Sequence, residues 1–187
     1  MLAIASRRPV PFIGEPIGRI DLYDIASGKL VRRIDGAHKD TVHHVAFSSD
    51  GRLIASGTWE AGMNTLNNAT KQLESMKDPD PVRVWDVATG RKIVSFEGPF
   101  PGVSNLAFHP TRPWLAASLG TITGQTKGPE FRIWDWHSSA LLTTQGQFSS
   151  SAQHIAFSPD GRFVAMAGNN KGLLTADGIE IAEIIAA

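Results

Sequence analysis

A short phrase recurs three times along this chain, and the repeat constrains the fold more than any other feature. Each copy sets an aromatic residue before an aspartate at the end of a β-branched or apolar run: Tyr23-Asp24, Trp85-Asp86 and Trp134-Asp135. A second phrase that ends in Ala-Phe follows 22 or 23 residues later, at Phe47, Phe108 and Phe157. Such an internal repeat predicts a fold made of similar units placed side by side.

The segments between these landmarks predict short antiparallel strands. Runs of four to six residues rich in Val, Ile, Leu and aromatic side chains are separated by Ser-Gly, Asp-Gly and Thr-Gly turns, which is the pattern of strands joined by tight turns. Four strands per unit, named a to d, fit the spacing, and insertions fall mainly between strands b and c. We therefore predict an all-β chain of four-stranded antiparallel units.

These phrases resemble the repeats of the WD-repeat β-propeller family, in which each repeat carries Gly-His and Trp-Asp landmarks and supplies one four-stranded blade. The resemblance covers nearly the whole chain and implies a single partial propeller domain over residues 1–187. Its repeat units are expected at approximately residues 1–35, 36–97, 98–146 and 147–187. The first unit would lack strand a. The last is degenerate, with residues 173–176 in place of the Trp-Asp strand and residues 179–184 as the outermost strand d.

An arc of about four units would leave an apolar blade face and a strand edge exposed at each end, which proteins normally avoid. Three arrangements remove that exposure: the chain is a segment of a longer propeller, it pairs with a second copy of itself, or it closes as a four-bladed ring. Propellers usually close with four to eight blades. We expect the first arrangement, in which further blades are missing from this sequence.

Composition and motifs restrict the classes of function. The 18 basic and 18 acidic residues cancel, so there is no electrostatic case for nucleic acid or an anionic membrane as partner. The absence of cysteine excludes thiol nucleophiles and cysteine-based zinc sites. No serine-hydrolase elbow, phosphate-binding loop, signal peptide or membrane span is evident. We therefore predict a cytoplasmic protein that is not an enzyme and holds no cofactor or metal.

Two groups of polar residues could suggest a metal or catalytic site, but we interpret both as structural. His44 and His154 occupy equivalent positions before the Ala-Phe phrase, with Asn105 in the third copy. We expect these side chains to stay far apart on neighbouring units, and no zinc-type ligand spacing accompanies them. Asp78 and Asp80 lie beside prolines and are expected to be turn formers in a solvated loop.

The resemblance also implies a hydrogen-bonded chain inside a blade, built from a His, a Ser or Thr, a turn acid and the strand-c Trp. His38, Ser56 and Trp85 match three of these positions. The insertion displaces the acid, for which Glu60 is a candidate. Asp86, Trp134 and Asp135 complete the structural landmarks, while the unit of Trp134 has Ser118 but no matching histidine.

The connections after strands b and d should share one face of the molecule, and this face carries the insertions. Loops on a rigid scaffold commonly carry recognition, and aromatic and Arg side chains tend to dominate interfaces. The candidate partner-binding residues on this face are Phe12, Trp59, Met63, Phe100, Arg7 and Arg8. The alternative is that the apolar ones among them fold back over the blade beneath.

The resemblance implies a non-catalytic scaffold or protein-interaction module that binds a protein or peptide through this face. The alternative is the propeller lobe of a larger enzyme or signalling protein whose catalytic domain lies outside this chain. Fold alone does not identify the partner, because the same fold serves many functions and only the site decides.

Overall fold

The computed structural model describes residues 1–7, 18–39, 41–58, 78–98, 102–119, 130–146, 152–168 and 179–183. Within these residues the chain forms fourteen β-strands. They are arranged in four sheets in which every pairing is antiparallel. The prediction of an all-β chain of antiparallel units is confirmed.

Each sheet uses strands that follow one another in the sequence. Sheet 1 contains β1 (Leu2–Arg7), β2 (Gly18–Tyr23) and β3 (Leu30–His38). Sheet 2 contains β4 (Val42–Phe47), β5 (Leu53–Thr58), β6 (Val82–Asp86) and β7 (Lys92–Phe96). Sheet 3 contains β8 (Val103–Phe108), β9 (Trp114–Leu119), β10 (Glu130–Asp135) and β11 (Leu141–Gly146). Sheet 4 contains β12 (Ala152–Phe157), β13 (Phe163–Gly168) and β14 (Ile179–Glu183).

The apolar side chains of the strands form a separate core between each pair of neighbouring sheets. Sheets 1 and 2 meet through a cluster that includes Ile20, Leu22, Val42, Ile54 and Trp85. Sheets 2 and 3 meet through Val82, Val84, Val103, Leu106 and Leu115. Sheets 3 and 4 meet through Ala116, Phe131, Ile133, Val164 and Met166. Sheet 2 is therefore covered on both faces, and five of the six residues of β5 are buried.

One close approach fixes the spacing between sheets 2 and 3. A Cβ placed on Gly57 of β5 would lie 2.6 Å from Cγ1 of Val103 on β8. Real Cβ atoms do not come so near another carbon, so only glycine lets the two strands pack at this distance. Val103 itself is fully buried.

The repeat extends to irregularities of the strands. The innermost pairs of sheets 2, 3 and 4 each skip one residue at an equivalent position: His43, Ser104 and Gln153. The outermost pairs of sheets 1, 2 and 3 also skip one residue: Val31, Ile93 and Leu142. Equivalent bulges in successive sheets show that the units share backbone geometry as well as sequence.

The prediction for the last strand is wrong. Residues 179–184 were expected to form the outermost strand d, but β14 pairs directly with β13, with Ile181 opposite Ala165. An open edge on β13 would leave backbone groups unpaired, and the apolar–acidic alternation of β14 suits a strand that fills that edge. Residues 173–176 lie outside the described residues.

Candidate functional site

The two ends of the sheets are built differently. Antiparallel neighbours run in opposite directions, so successive connections leave from alternate ends of a sheet. One end, here the tight-turn end, carries residues 24–29, 48–52, 87–91, 109–113, 136–140 and 158–162. At the other, the long-connection end, lie the strand ends that border the connections of residues 8–17, 39–41, 59–81, 97–102, 120–129, 147–151 and 169–178.

Aspartates of the repeated phrase organise the tight-turn end. One carboxylate oxygen of Asp24 accepts hydrogen bonds from the backbone N–H and the hydroxyl of Ser27, at 2.8 and 2.7 Å. Asp86 accepts the same pair from Thr89, at 2.7 and 2.6 Å. The side-chain hydrogen bonds lower the pKa of both carboxyl groups. Asp135 accepts from the N–H groups of residues 137 and 138, so all three landmark aspartates lie in turns.

Hydrogen bonds also join the tight turns of neighbouring sheets. The hydroxyl of Ser49 in sheet 2 donates to the carbonyl of Pro110 in sheet 3, at 2.8 Å. Nε2 of His109 in sheet 3 lies 3.0 Å from the carbonyl oxygen of Gly161 in sheet 4. The guanidinium of Arg32 in sheet 1 donates to carbonyls of the turn at residues 87–91. The tight-turn end is therefore tied together from sheet 1 to sheet 4.

The candidate partner-binding residues belong to the long-connection end. Arg7 ends β1, and the structure describes its backbone but not its side chain. The other five lie outside the described residues: Arg8, Phe12, Trp59, Met63 and Phe100. Their proposed role remains a prediction.

A buried polar chain crosses sheet 2 towards the long-connection end. Nε1–H of Trp85 donates to Oγ of Ser56 at 2.8 Å, and Ser56 Oγ lies 2.7 Å from Nε2 of His38. Nδ1 of His38 lies 2.9 Å from Oδ2 of Asp78. A carboxylate only accepts, so His38 donates from Nδ1 to Asp78 and accepts at Nε2 from Ser56. The chain thus holds a neutral histidine in one defined tautomer.

Asp78 terminates this chain. It forms a turn as expected, since its Oδ1 accepts from the N–H of Asp80 at 3.2 Å, but the expectation that it is solvated is wrong. Its side chain is buried, and it also accepts from the N–H of Lys39 at 3.0 Å and from Arg83 Nη2 at 2.6 Å. Burial would raise the pKa of Asp78, but the hydrogen bond from His38 and the charge of Arg83 hold it below its ordinary value. Burial lowers the pKa of His38.

The position of Asp78 explains how sequence reasoning missed it. Counted forward from Ser56, the acid is displaced by the long connection, and Glu60, which lies outside the described residues, was the candidate. Counted back from Trp85, Asp78 stands shortly before strand β6, where it meets both His38 and Arg83. The spacing of Asp78 to the strand that follows the insertion is the sequence signal that identifies it as the acid of this chain.

Sheet 3 replaces the polar chain with packing. Phe96, the last residue of β7, stacks on Trp134 with ring centroids 4.8 Å apart. Ser118, the counterpart of Ser56, is fully buried, and its hydroxyl has no hydrogen-bond partner among the described residues. Trp134 of sheet 3 thus packs against an aromatic ring of sheet 2, whereas Trp85 of sheet 2 donates to Ser56.

The expected separation of the inner polar residues is also wrong. Nδ2 of Asn105 on β8 lies 3.4 Å from Nδ1 of His154 on β12. Burial, and secondarily the charge of His154, lower the pKa of His44 on β4. The bulges in these three strands recur at the residue before each of these side chains. Because the innermost strands are also the closest together, their side chains approach one another from neighbouring sheets.

Comparison with known proteins gives the family of the repeat. The profile of the WD domain, G-beta repeat (WD40) matches residues 28–61, which run from the end of sheet 1 through β4 and β5. The chain carries WD repeats. Each sheet described above corresponds to a blade of the WD-repeat fold, and sheet 2, which holds the buried polar chain, includes most of the matched segment.

Curated relatives agree with this family. The chain is 30% identical over 159 residues to WD repeat-containing protein SL1-17 of Schistosoma mansoni, covering 85% of this chain and 44% of the relative. It is 28% identical over 137 residues to autophagy-related protein 18 of Schizosaccharomyces pombe, covering 72% of this chain and 30% of that protein. The WD-repeat chain thus spans less than half of either relative.

A solved structure shares the fold. The WD-repeat chain superimposes on a chain from the crystal structure of the mitotic checkpoint complex with a TM-score of 0.63 and 17% sequence identity. The match covers 90% of this chain and 43% of the other. Among the residues described here, no helix has the length and apolarity needed to cross a membrane.

Proposed function

We propose that this chain is a non-catalytic, cytoplasmic scaffold module that binds a protein or peptide through its long-connection end. The observation that carries the proposal is the asymmetry between the two ends. Tight turns tied to one another occupy one end, and the long connections leave from the other. Variable loops on a rigid base are the usual arrangement of a recognition surface.

The polar chain of sheet 2 supports this assignment. Asp78 accepts from the backbone of Lys39, next to the connection at residues 39–41, and from Arg83 at the start of β6. It thereby fixes two neighbouring connections to one buried residue. A surface whose supporting backbone is fixed loses less conformational entropy when it binds a partner.

The family supports a protein as the partner. WD-repeat relatives match along most of this chain, and the structure on which it superimposes was solved as a complex. The aromatic and Arg candidates at the long-connection end are the residue types that carry most binding energy in protein interfaces.

Site-specific photo-crosslinking tests the proposal. A photoreactive phenylalanine analogue is placed at Trp59 or Phe100 on the long-connection end, and at Ile25 as the control. Ile25 lies in a tight turn and is 69% exposed, so it samples the opposite end with a similarly apolar side chain. The variants are expressed in cells and irradiated, and crosslinked proteins are identified by mass spectrometry.

We expect discrete crosslinked proteins from positions 59 and 100. None of these proteins should also crosslink from position 25. Crosslinks that form only from position 25 would place the binding surface at the tight-turn end. If no position gives a discrete protein, the chain is not a protein-interaction module.

A further inference from the structure

The turn at residues 109–113 departs from its two counterparts. In the turns at residues 48–52 and 158–162, a serine hydroxyl donates to an aspartate at 2.6 Å and accepts from the N–H of the next strand at 2.9 Å. The same aspartate accepts from a backbone N–H at 3.0 Å. The middle turn has His109 in place of the serine and Thr111 in place of the aspartate, so its hydrogen bonds must be made differently.

His109 supplies those hydrogen bonds with its ring. Nδ1 accepts from the N–H of Thr111 at 3.1 Å and from the N–H of Arg112 at 3.0 Å. Nδ1 must therefore be unprotonated, which places the proton on Nε2. Nε2–H donates to the carbonyl oxygen of Gly161 in sheet 4, at 3.0 Å. One neutral ring thus closes its own turn and binds the next sheet.

The ring fits closely between the two sheets. His109 is only 4% exposed and makes edge contacts with Trp114 and Phe157, each with centroids 5.1 Å apart. A Cβ on Gly161 would lie 2.3 Å from Cε1 of His109, and Gly161 has a φ of +72°. The partner turn therefore accepts the ring only because it carries glycine at this position.

We propose that His109 is a pH-sensitive latch between sheets 3 and 4, closed while its ring is neutral and released when the ring is protonated. A proton on Nδ1 would face the two N–H groups that Nδ1 now accepts from. The turn at residues 109–113 would lose both hydrogen bonds, and a charged ring would be enclosed by two aromatic side chains. The contact with Gly161 depends on this turn, so the two sheets would separate at the tight-turn end.

The charged groups around the His109 ring do not offset the cost of protonating it. Arg112, on the same turn, lies over the ring of Trp114 at 4.5 Å and disfavours a second positive charge. In the partner turn, Asp160 is engaged by the hydroxyl of Ser158 and the N–H of Arg162. In the turn on the other side, Asp50 and Arg52 approach each other at 3.9 Å.

Burial, and to a lesser degree Arg112, lower the pKa of His109 below 6.5, although the bond to Gly161 acts in the opposite direction. A group whose pKa is lowered by folding contributes its full stabilisation of the fold at any pH well above its pKa in the unfolded chain. That stability falls as the pH drops below 6.5 and levels off beneath the folded value. The equilibrium constant for opening the latch should rise about tenfold for each pH unit that separates the unfolded pKa of His109 from its folded pKa.

Amide hydrogen exchange of the full chain tests the latch. Exchange is measured between about pH 7.5 and about pH 5.5, on either side of the ordinary histidine pKa, and corrected for the intrinsic pH dependence of exchange. The ratio of protection in β12–β13 to protection in β1–β2, which carries none of His38, His44 and His109, should decrease as the pH is lowered in the natural chain. In His109→Ser, which restores the residue found at Ser48 and Ser158, the ratio should stay constant.

The triple variant His109→Ser, Thr111→Asp, Arg112→Gly copies the Ser-Pro-Asp-Gly turn of sheet 4 and serves if the single variant folds poorly. Nitrogen NMR of the natural chain reports the ring directly. We expect the neutral ring to carry its proton on Nε2 and to titrate below the ordinary histidine value of about 6.5. Either of two results would overturn the proposal: a His109 ring that titrates at 6.5 or above, or a protection ratio that falls equally in the natural chain and in the His109→Ser variant.

Discussion

At the scale of single residues, Asp78 is the group whose loss should be most damaging. It accepts from both His38 and Arg83, so Asp78→Ala leaves the buried His38 without its acceptor and Arg83 with Asp80, at 3.8 Å, as its remaining carboxylate. Removing one partner of a buried ion pair costs roughly 3 to 5 kcal/mol. Asp80→Ala is the matched control, because Asp80 lies two residues away and approaches its cations, Lys92 and Arg83, only to 3.7 and 3.8 Å. Chemical denaturation measures both, and equal losses would contradict the role of Asp78.

Ser139 offers a stabilising substitution. It has a φ of +63°, whereas the equivalent positions in sheets 1 and 2 are Gly28 and Gly90, at +67° and +74°. A side chain strains this left-handed conformation, so Ser139→Gly should raise the free energy of unfolding by about 1 kcal/mol. A thermal melt measures the gain, and the reverse change Gly28→Ser, where an added Cβ meets nothing within 4 Å, should lower stability by a similar amount. A destabilised Ser139→Gly would show that the serine side chain is needed.

The sequence predicts the landmarks of the repeat but not the interaction partners that are distant from one another in the chain. The aspartates of the repeated phrase are recognisable because they act within their own turns. Asp78 and His109 act on other turns or sheets, and local patterns do not register such contacts. A histidine in a serine position looks like ordinary turn variation until the neighbouring sheet is known.

At the scale of strands, the contact of β5 with β8 depends on a missing side chain. Gly57→Ala would push a Cβ into Val103, and overpacking of this kind costs roughly 1 to 3 kcal/mol. Val103→Ala alone should also destabilise, because it opens a cavity in the core. The double variant should be more stable than the sum of the two losses predicts, but only in part, because it removes the Cγ1 and Cγ2 contacts and keeps the Cβ of residue 103 at 2.7 Å. Additive losses in a double-mutant cycle would mean that the two strands do not press on each other here.

The strands themselves were predictable because apolar runs and turn residues are local signals. The pairing of β14 was not, because its sequence suits either an inner or an outermost position equally well. Which edge a strand fills depends on the strands already paired beside it, and that information is not local.

At the scale of the whole molecule, three histidines should make the fold sensitive to acid. Burial lowers the pKa of His38, His44 and His109. Stability should therefore be constant above 6.5 and decline as the pH falls below that value, before the carboxylates titrate. Thermal midpoints across this range measure the decline. His44→Asn, which copies Asn105, should reduce it.

Sheet 1 turns a packing face outwards. Leu2 and Ile4 are 50% and 45% exposed, whereas their counterparts in sheet 2, Ile54 and Ser56, are fully buried against sheet 1. On the same face, Asp21 is buried between Arg33 and Arg19, at 2.7 and 3.2 Å. The outward face of sheet 1 therefore combines exposed apolar side chains with a buried aspartate that pairs with two arginines.

The bulges at Val31, Ile93 and Leu142 have a consequence for how copies of this chain behave when crowded. β3, β7 and β11 each present a strand edge, and a straight edge is a template for pairing with another molecule. The extra residue bends and twists each strand, and it does so in every blade that carries an outermost strand. The same irregularity, repeated around the rim, protects the chain against ordered aggregation.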